Sequence, residues 1–374
     1  MPLSKIQLSS STGRRNLAIN GDMKIAQRGG GPTQAGNGNY VTVDRMMHWS
    51  YPSGTGTFTS TQSSGHQLQT GHEKAFKIDV TAADTSIGAA DYYEILQRIE
   101  GKNIQHLRWG TAAAKKLQVS FWVRATKTGV NALFCSKQGT GTDYRNVVEY
   151  TINASDTWEH KTLVVSPTAG STSLITGSGG DIVQDNGKGI VLYWWLAAGS
   201  DFTGGTNNTW GTDSSDLATT NQVNWLDSTS NDFYITGIQF EIGDQATDFE
   251  HLPFDVQERR CFRYYQTLAM TTNSIKVAAG TSTTVAQIDF EYPNGEMRTS
   301  PTVTLPTAGN SSGTTAFLTA VGAYPSTIGT HSVSTATEIH ARVTCASYSA
   351  NLLAGSAHLF YSNGTNTFKM DAEL

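Results

Sequence analysis

The segment from Tyr234 to Gln266 restricts this chain most, because it changes period partway along. Thr236, Ile238, Phe240 and Ile242 fall on one side of an extended chain, and Gly237, Gln239 and Glu241 fall on the other. A period of two is that of a strand with one covered face, and Gly243 ends it. After Pro253, Asp255 stands three residues before Glu258, the spacing of a helix capping box, and Cys261, Tyr264, Tyr265 and Leu268 follow at helical spacing. The reading is a seam: a β domain closing at residue 252, a short helical connector over 253–270, and a second β domain over 271–374.

The rest of the chain repeats the strand pattern. Phe76, Ile78 and Val80 alternate with Lys77 and Asp79, and Leu117, Val119, Phe121 and Val123 alternate with Gln118, Ser120, Trp122 and Arg124. Further strands are expected over Tyr92–Glu100, Ala132–Ser136, Val147–Ile152, His160–Val165, Ile190–Leu196 and Phe233–Ile242. One short helix is expected within Ile104–Ala114. Many strands joined by Gly, Ser, Thr and Asn loops, without strand-helix alternation, predict a mainly β chain: a jelly-roll β-sandwich over 16–252, the helical connector, and a second small β-sandwich. In the second unit Ile288, Phe290 and Tyr292, then Ile339, Ala341, Val343 and Cys345, then Phe368, Met370, Ala372 and Leu374 alternate with their neighbours. The long polar segments Ser166–Gly189 and Thr203–Ser230 are expected to carry function or motion. No 20–50-residue repeat and no heptad run occurs, which argues against a solenoid or coiled-coil stalk.

Composition narrows the function classes. Charged residues make up 15% of the chain, below the roughly 25% usual for soluble domains. A net charge of −5 without a Lys/Arg-rich run lacks the electrostatic footprint of a nucleic-acid binder. Cys135, Cys261 and Cys345 are odd in number, far apart and without ligand spacing, so they read as buried apolar residues rather than a disulfide or zinc framework. The start of the chain lacks a secretion-signal pattern, and the longest apolar run, Ile190–Ala198, is far shorter than the ~20 residues of a membrane helix. A soluble product without membrane insertion is expected.

Several blocks carry a resemblance. Asn16-Leu17-Ala18-Ile19-Asn20-Gly21-Asp22, Ala26-Gln27-Arg28-Gly29, Val43-Asp44-Arg45 and Gln97-Arg98-Ile99-Glu100 precede the closing run from Phe249-Glu250-His251 to Gln266. In this order they resemble bacteriophage tail and head fibre proteins of the virion surface that carry a carbohydrate-binding-module-like jelly roll and a small C-terminal β domain. Met46 departs from the aromatic often found after Asp-Arg. Glu296-Met297-Arg298, Ser300-Pro301-Thr302-Val303 and the final Asp371-Ala372-Glu373-Leu374 are similar to the distal domain of the same fibres. The resemblance implies a homotrimer on the virion surface, on tail or capsid, made in the host cytoplasm and attaching to host glycans. Residues 1–15 would form a docking arm for other virion proteins.

A sugar offers an apolar face inside a rim of hydroxyls, so candidate contacts are aromatics among polar groups. They are Trp122 with Arg124 on the polar side of its strand, Tyr193 and Trp195, and the loop residues Trp210 and Trp225. Each has a plainer role to set beside it. Tyr193 and Trp195 suit a subunit contact as well as a ligand platform, Trp194 suits the core, and a loop tryptophan often pins its own loop. Asp181, Asp185 and Asn186, or Asp213, Asp216 and Asp227, lack a calcium-loop spacing and read as polar surface. No nucleophile, zinc-protease or phosphate-loop motif occurs. Carboxylates such as Glu94 and Glu100 are expected on solvated strand faces, so no enzyme, metal or cofactor is expected. A decoration or adaptor protein that binds no glycan is the alternative, and a polysaccharide-degrading spike is a third reading.

Overall fold

The computed structural model describes residues 15–374 apart from 35–37, 39, 52–54, 140, 271–274, 307–315, 320–328, 347–351, 353, 355 and 363–365. Of the expected arm, Arg15 alone is among them: its backbone N–H donates to Glu250 Oε1 at 3.2 Å and its guanidinium to Thr247 Oγ1 at 2.9 Å. The chain forms two compact units, residues 1–257 and 258–374.

The first unit is an antiparallel sandwich. One six-stranded sheet runs in the order Thr33–Gln34, Thr57–Ser64, Lys74–Ala82, Asp232–Ile242, Leu117–Ala125, Glu159–Val165. The other runs Trp210–Gly211, Tyr144–Ile152, Gly129–Lys137, Lys188–Ala198, Tyr92–Glu100, Met47–Tyr51. The chain passes back and forth between the sheets in the manner of a jelly roll. Phe76, Phe121, Phe233 and Phe240 face Tyr93, Leu133, Leu192 and Trp194 across the core. Each such burial contributes roughly 1.5–3 kcal/mol. Trp194 is fully buried, stacked on Phe240 at 6.2 Å and edge-on to Phe121 at 5.7 Å.

The central strand Asp232–Ile242 departs from simple alternation. Its pairing with Leu117–Ala125 slips between Thr236 and Gln239, and Gly237 there adopts φ +60°. This bulge resets the phase. Phe233 and Ile235 point into the core before it and Ile238 and Phe240 after it, so Thr236 lies on the outer face opposite Trp122, not beside Ile238 as the period of two predicts. The polar face beyond the bulge is covered too. Gln239 and Glu241 are buried, because Glu241 accepts hydrogen bonds from Thr247 N (2.8 Å) and Oγ1 (2.7 Å), while Gln239 Oε1 accepts from Glu250 N (2.8 Å).

The early sequence blocks also converge. The side chain of Asn20, at φ 60°, accepts from Ile25 N and donates to Ile25 O and Asp44 O, each at 2.9 Å. Asp44 Oδ1 accepts from Gln27 N at 2.9 Å, and Arg45 Nη2 donates to Arg98 O at 2.6 Å. The short helix expected within 104–114 is a 3-10 turn at Gln105–Leu107, preceded by another at Gly101–Asn103. The three cysteines are buried and outside any disulfide among the described residues.

The helix Phe254–Phe262 is shorter than the expected connector. Residues Tyr265–Met270 are a strand of the second unit, paired along their length with Asn366–Asp371. Tyr265, Gln266 and Met270 are buried there, on both faces of the strand, so the residues show no period of two. A three-stranded sheet, Tyr265–Met270, Asn366–Asp371 and Thr302–Thr304, and a six-stranded one make up this unit. Its core includes Ile288, Phe290, Val343, Phe360, Phe368 and Met370. Arg298 holds the chain end, donating to Ala372 O at 2.8 Å and Glu373 O at 2.9 Å.

All eight tryptophans lie in the first unit, so urea unfolding followed by tryptophan fluorescence reports on that sandwich. A Cβ at Gly65, φ +87°, would meet nothing within 4 Å, whereas one at Gly237 would lie 2.6 Å from His72 Nε2. Gly65→Ala therefore costs backbone strain alone, about 1 kcal/mol, and Gly237→Ala costs roughly 2–4 kcal/mol through strain plus overpacking. Equal losses at the two positions would contradict the role given to the bulge.

Candidate functional site

The outer face of the second sheet carries an aromatic groove with a cavity of about 250 Å³. Strand register builds it. Directly opposed residues set Trp49, Glu94 and Trp195 in one row, and Leu96, Tyr193, Phe134 and Val147 in the next. Side chains opposite one another on one face of a sheet touch, so the rows form a continuous floor. Tyr193 and Phe134 lie with ring centroids 5.0 Å apart and planes at 35°. Tyr193 is half-buried, and Trp195, 2% exposed, stacks on Phe202 at 6.2 Å. Phe202 and Leu217, from the long segment after Lys188–Ala198, supply one wall. Ser136, Gln138, Asp143 and Arg145 supply polar groups. Arg145 is held in place by donating to Thr212 O at 2.9 Å and Asp213 O at 3.3 Å.

Glu94 sets the electrostatics of the floor. It is 5% exposed, not solvated as a strand carboxylate is expected to be, and Glu100 is buried as well. Burial pushes the Glu94 carboxyl up to about 8, against the opposing effect of Arg98. Burial also raises the Tyr193 phenol, with Glu94 acting in the same direction. At neutral pH the floor thus presents a largely protonated carboxyl and neutral phenols, groups that both donate and accept hydrogen bonds.

Of the candidates read from sequence, Tyr193 and Trp195 meet in this groove. Trp122 and Arg124 lie on the other sheet. Arg124 packs over the Tyr234 ring at 4.2 Å and pairs with Asp156 at 3.3 Å, while Trp122 lines a separate hollow. Trp210 and Trp225, expected as contacts, are not available to a ligand. Both are buried: Trp210 Nε1 donates to Ser166 O and Trp225 Nε1 to Asn131 Oδ1, each at 2.7 Å. They belong to the core of the sandwich, and each pins its segment by burying an indole whose N–H finds a partner. Trp49, Tyr92, Glu94 and Phe134 were not legible as site residues, since only cross-strand register brings them beside Tyr193.

No family model and no curated protein matches the chain. Among solved structures, it is similar to a Bacteroides thetaiotaomicron protein provisionally described as sugar-binding, at 9% identity and a TM-score of 0.33, over 61% of this chain and 100% of that one. It is similar to a family 11 carbohydrate-binding module of Clostridium thermocellum in complex with a β-1,3-1,4-mixed-linked tetrasaccharide, at 11% identity and a TM-score of 0.27, over 55% of this chain and 96% of that one. A third likeness is to the enzymatically active domain of bacteriophage CBA120 tailspike protein 4, at 10% identity and a TM-score of 0.31, over 61% of this chain but 21% of that one. Scores of this size carry no conclusion about what this chain binds.

The Glu94 carboxyl titrates differently in the folded and unfolded chain. Its ordinary value is 4.5, and the folded value is about 8. Between these limits the folded state holds more protons than the unfolded one, so stability falls as pH rises from about 4.5 to about 8 and is level beyond. Glu94→Gln removes this term. Its gain in melting temperature over the wild type is therefore expected to be larger at pH 8 than at pH 5, and a gain independent of pH would refute the burial of an ionisable carboxyl here.

Proposed function

We propose that this chain is a surface fibre protein of a bacteriophage virion, on tail or capsid, that attaches to the host by binding cell-surface glycans in the groove centred on Tyr193. The observation that carries the reading is the half-buried Tyr193 ring. It sits in an aromatic floor and is surrounded by Glu94, Gln138, Asp143 and Arg145. The ring accepts the apolar face of a pyranose, and the surrounding groups take its hydroxyls. The virion setting, the homotrimer and the role of residues 1–15 in docking rest on the resemblance of the ordered sequence blocks to phage fibre proteins. Binding, not cleavage, is the proposed activity.

Binding of the assembled protein to host cells and to an array of bacterial surface glycans tests this, with light scattering fixing the assembly state. Saturable binding by a trimer is expected. Tyr193→Ala, which removes a platform worth at least ~1.4 kcal/mol, is expected to weaken it about tenfold or more without changing assembly. Absence of binding by a folded trimer would favour a decoration or adaptor protein. Release of reducing ends from a bound polysaccharide would overturn the non-catalytic reading.

A further inference from the structure

The outer face of the first sheet holds a second hollow, of about 330 Å³, which the groove reading does not use. It exists because of the bulge. Strand register sets Trp122 opposite His160 on one side and Thr236 on the other, and the next position, Gly237, has no side chain to fill the space between Trp122 and His72. The Trp122 and His160 rings are 5.1 Å apart at 45°, a half-open aromatic wedge. The segment after the central strand forms the opposite wall, where Thr247 and Asp248 are exposed. Among the described residues no hydrogen bond or ion pair engages the Asp248 carboxylate.

The deep end is polar without being charged. His72, 2% exposed, lies 4.6 Å from the Phe249 ring and stacks on His251 at 5.3 Å. Among the described residues its Nδ1 has no hydrogen-bond partner. Burial, with His251 adding to it, lowers the His72 imidazole to about 4, and burial lowers His160 too. Neutral imidazoles do not match an anion, and the nearby Arg15 guanidinium donates to Thr247 Oγ1 and Asp248 O. A carboxylate acceptor, imidazole donors and acceptors, and a partly open indole are the complement of one sugar ring.

We propose that this hollow is a second glycan subsite, which stacks a single neutral sugar ring on Trp122 and takes its hydroxyls at Asp248 and His160. It shares no residue with the Tyr193 groove, so it stands or falls separately.

Saturation-transfer difference NMR on the full chain with methyl α-glucoside, methyl α-galactoside and N-acetylglucosamine tests the subsite. At least one sugar is expected to give a signal in the wild type that survives Tyr193→Ala. The surviving signal is expected to fall at least about fivefold in Trp122→Ala and about threefold in Asp248→Asn. Asp248 is exposed, so that variant keeps its fold even where Trp122→Ala does not. The subsite is overturned by silence from all three sugars in wild type, by loss of all signal in Tyr193→Ala, or by a signal indifferent to both Trp122→Ala and Asp248→Asn. Failure of the groove reading looks different: glycan-array binding is then as strong in Tyr193→Ala as in the wild type.

Discussion

One extra residue in the central strand organises much of the first unit. Asp232–Ile242 lies between two neighbours in its sheet and contributes to the core on both sides of Gly237. Without the phase reset, either Phe233 and Ile235 or Ile238 and Phe240 would turn outward, at a cost of several kcal/mol of lost burial. With it, all four face the core, and the strand's outer face carries Tyr234 and Thr236, a gap at Gly237, and the buried pair Gln239 and Glu241. A positive φ and the short distance to His72 Nε2 make glycine the residue that fits there.

The two faces of the sandwich are finished differently. Beyond the bulge, the segment through Thr247 to Glu250 closes over the first sheet by hydrogen bonds to Gln239 and Glu241. On the second sheet, the outer face remains aromatic. There Phe202 and Leu217 cover part of it, and Trp225, Trp210 and Leu226 pin the long segment to the core. What is left uncovered is the strip around Tyr193. An aromatic strip with polar borders on a rigid sheet is preorganised for a ligand with one apolar face, because little side-chain entropy remains to be lost on binding.

Much of the fold is legible in the sequence, and the site less so. Tyr92–Glu100 was legible as a strand between polar loops, and period-two alternation located those of Leu117–Ala125, Lys188–Ala198 and Asp232–Ile242. It also assigned Trp194 to the core and set Tyr193 and Trp195 on the other face. It failed at Gly237, since a bulge breaks the period without changing composition, and at Tyr265–Met270, where helical spacing in the residues hides a strand pairing with the chain's last strand. Trp210 and Trp225 misled because a polar loop does not reveal which of its aromatics is turned inward. Glu94 misled in the opposite direction. Its neighbours Trp49 and Trp195 are distant in sequence, and only their shared register shows that the carboxyl is walled in.

The most direct test of the Tyr193 groove is where a bound glycan touches the protein. A ¹H–¹⁵N spectrum resolves the indole N–H of each tryptophan, and with the glycan that gives the strongest cell-surface binding the account predicts shifts at Trp195 and Trp49, with Trp210, Trp225 and Trp194 unmoved. Shifts confined to tryptophans outside the groove, or none during saturable binding, would contradict it.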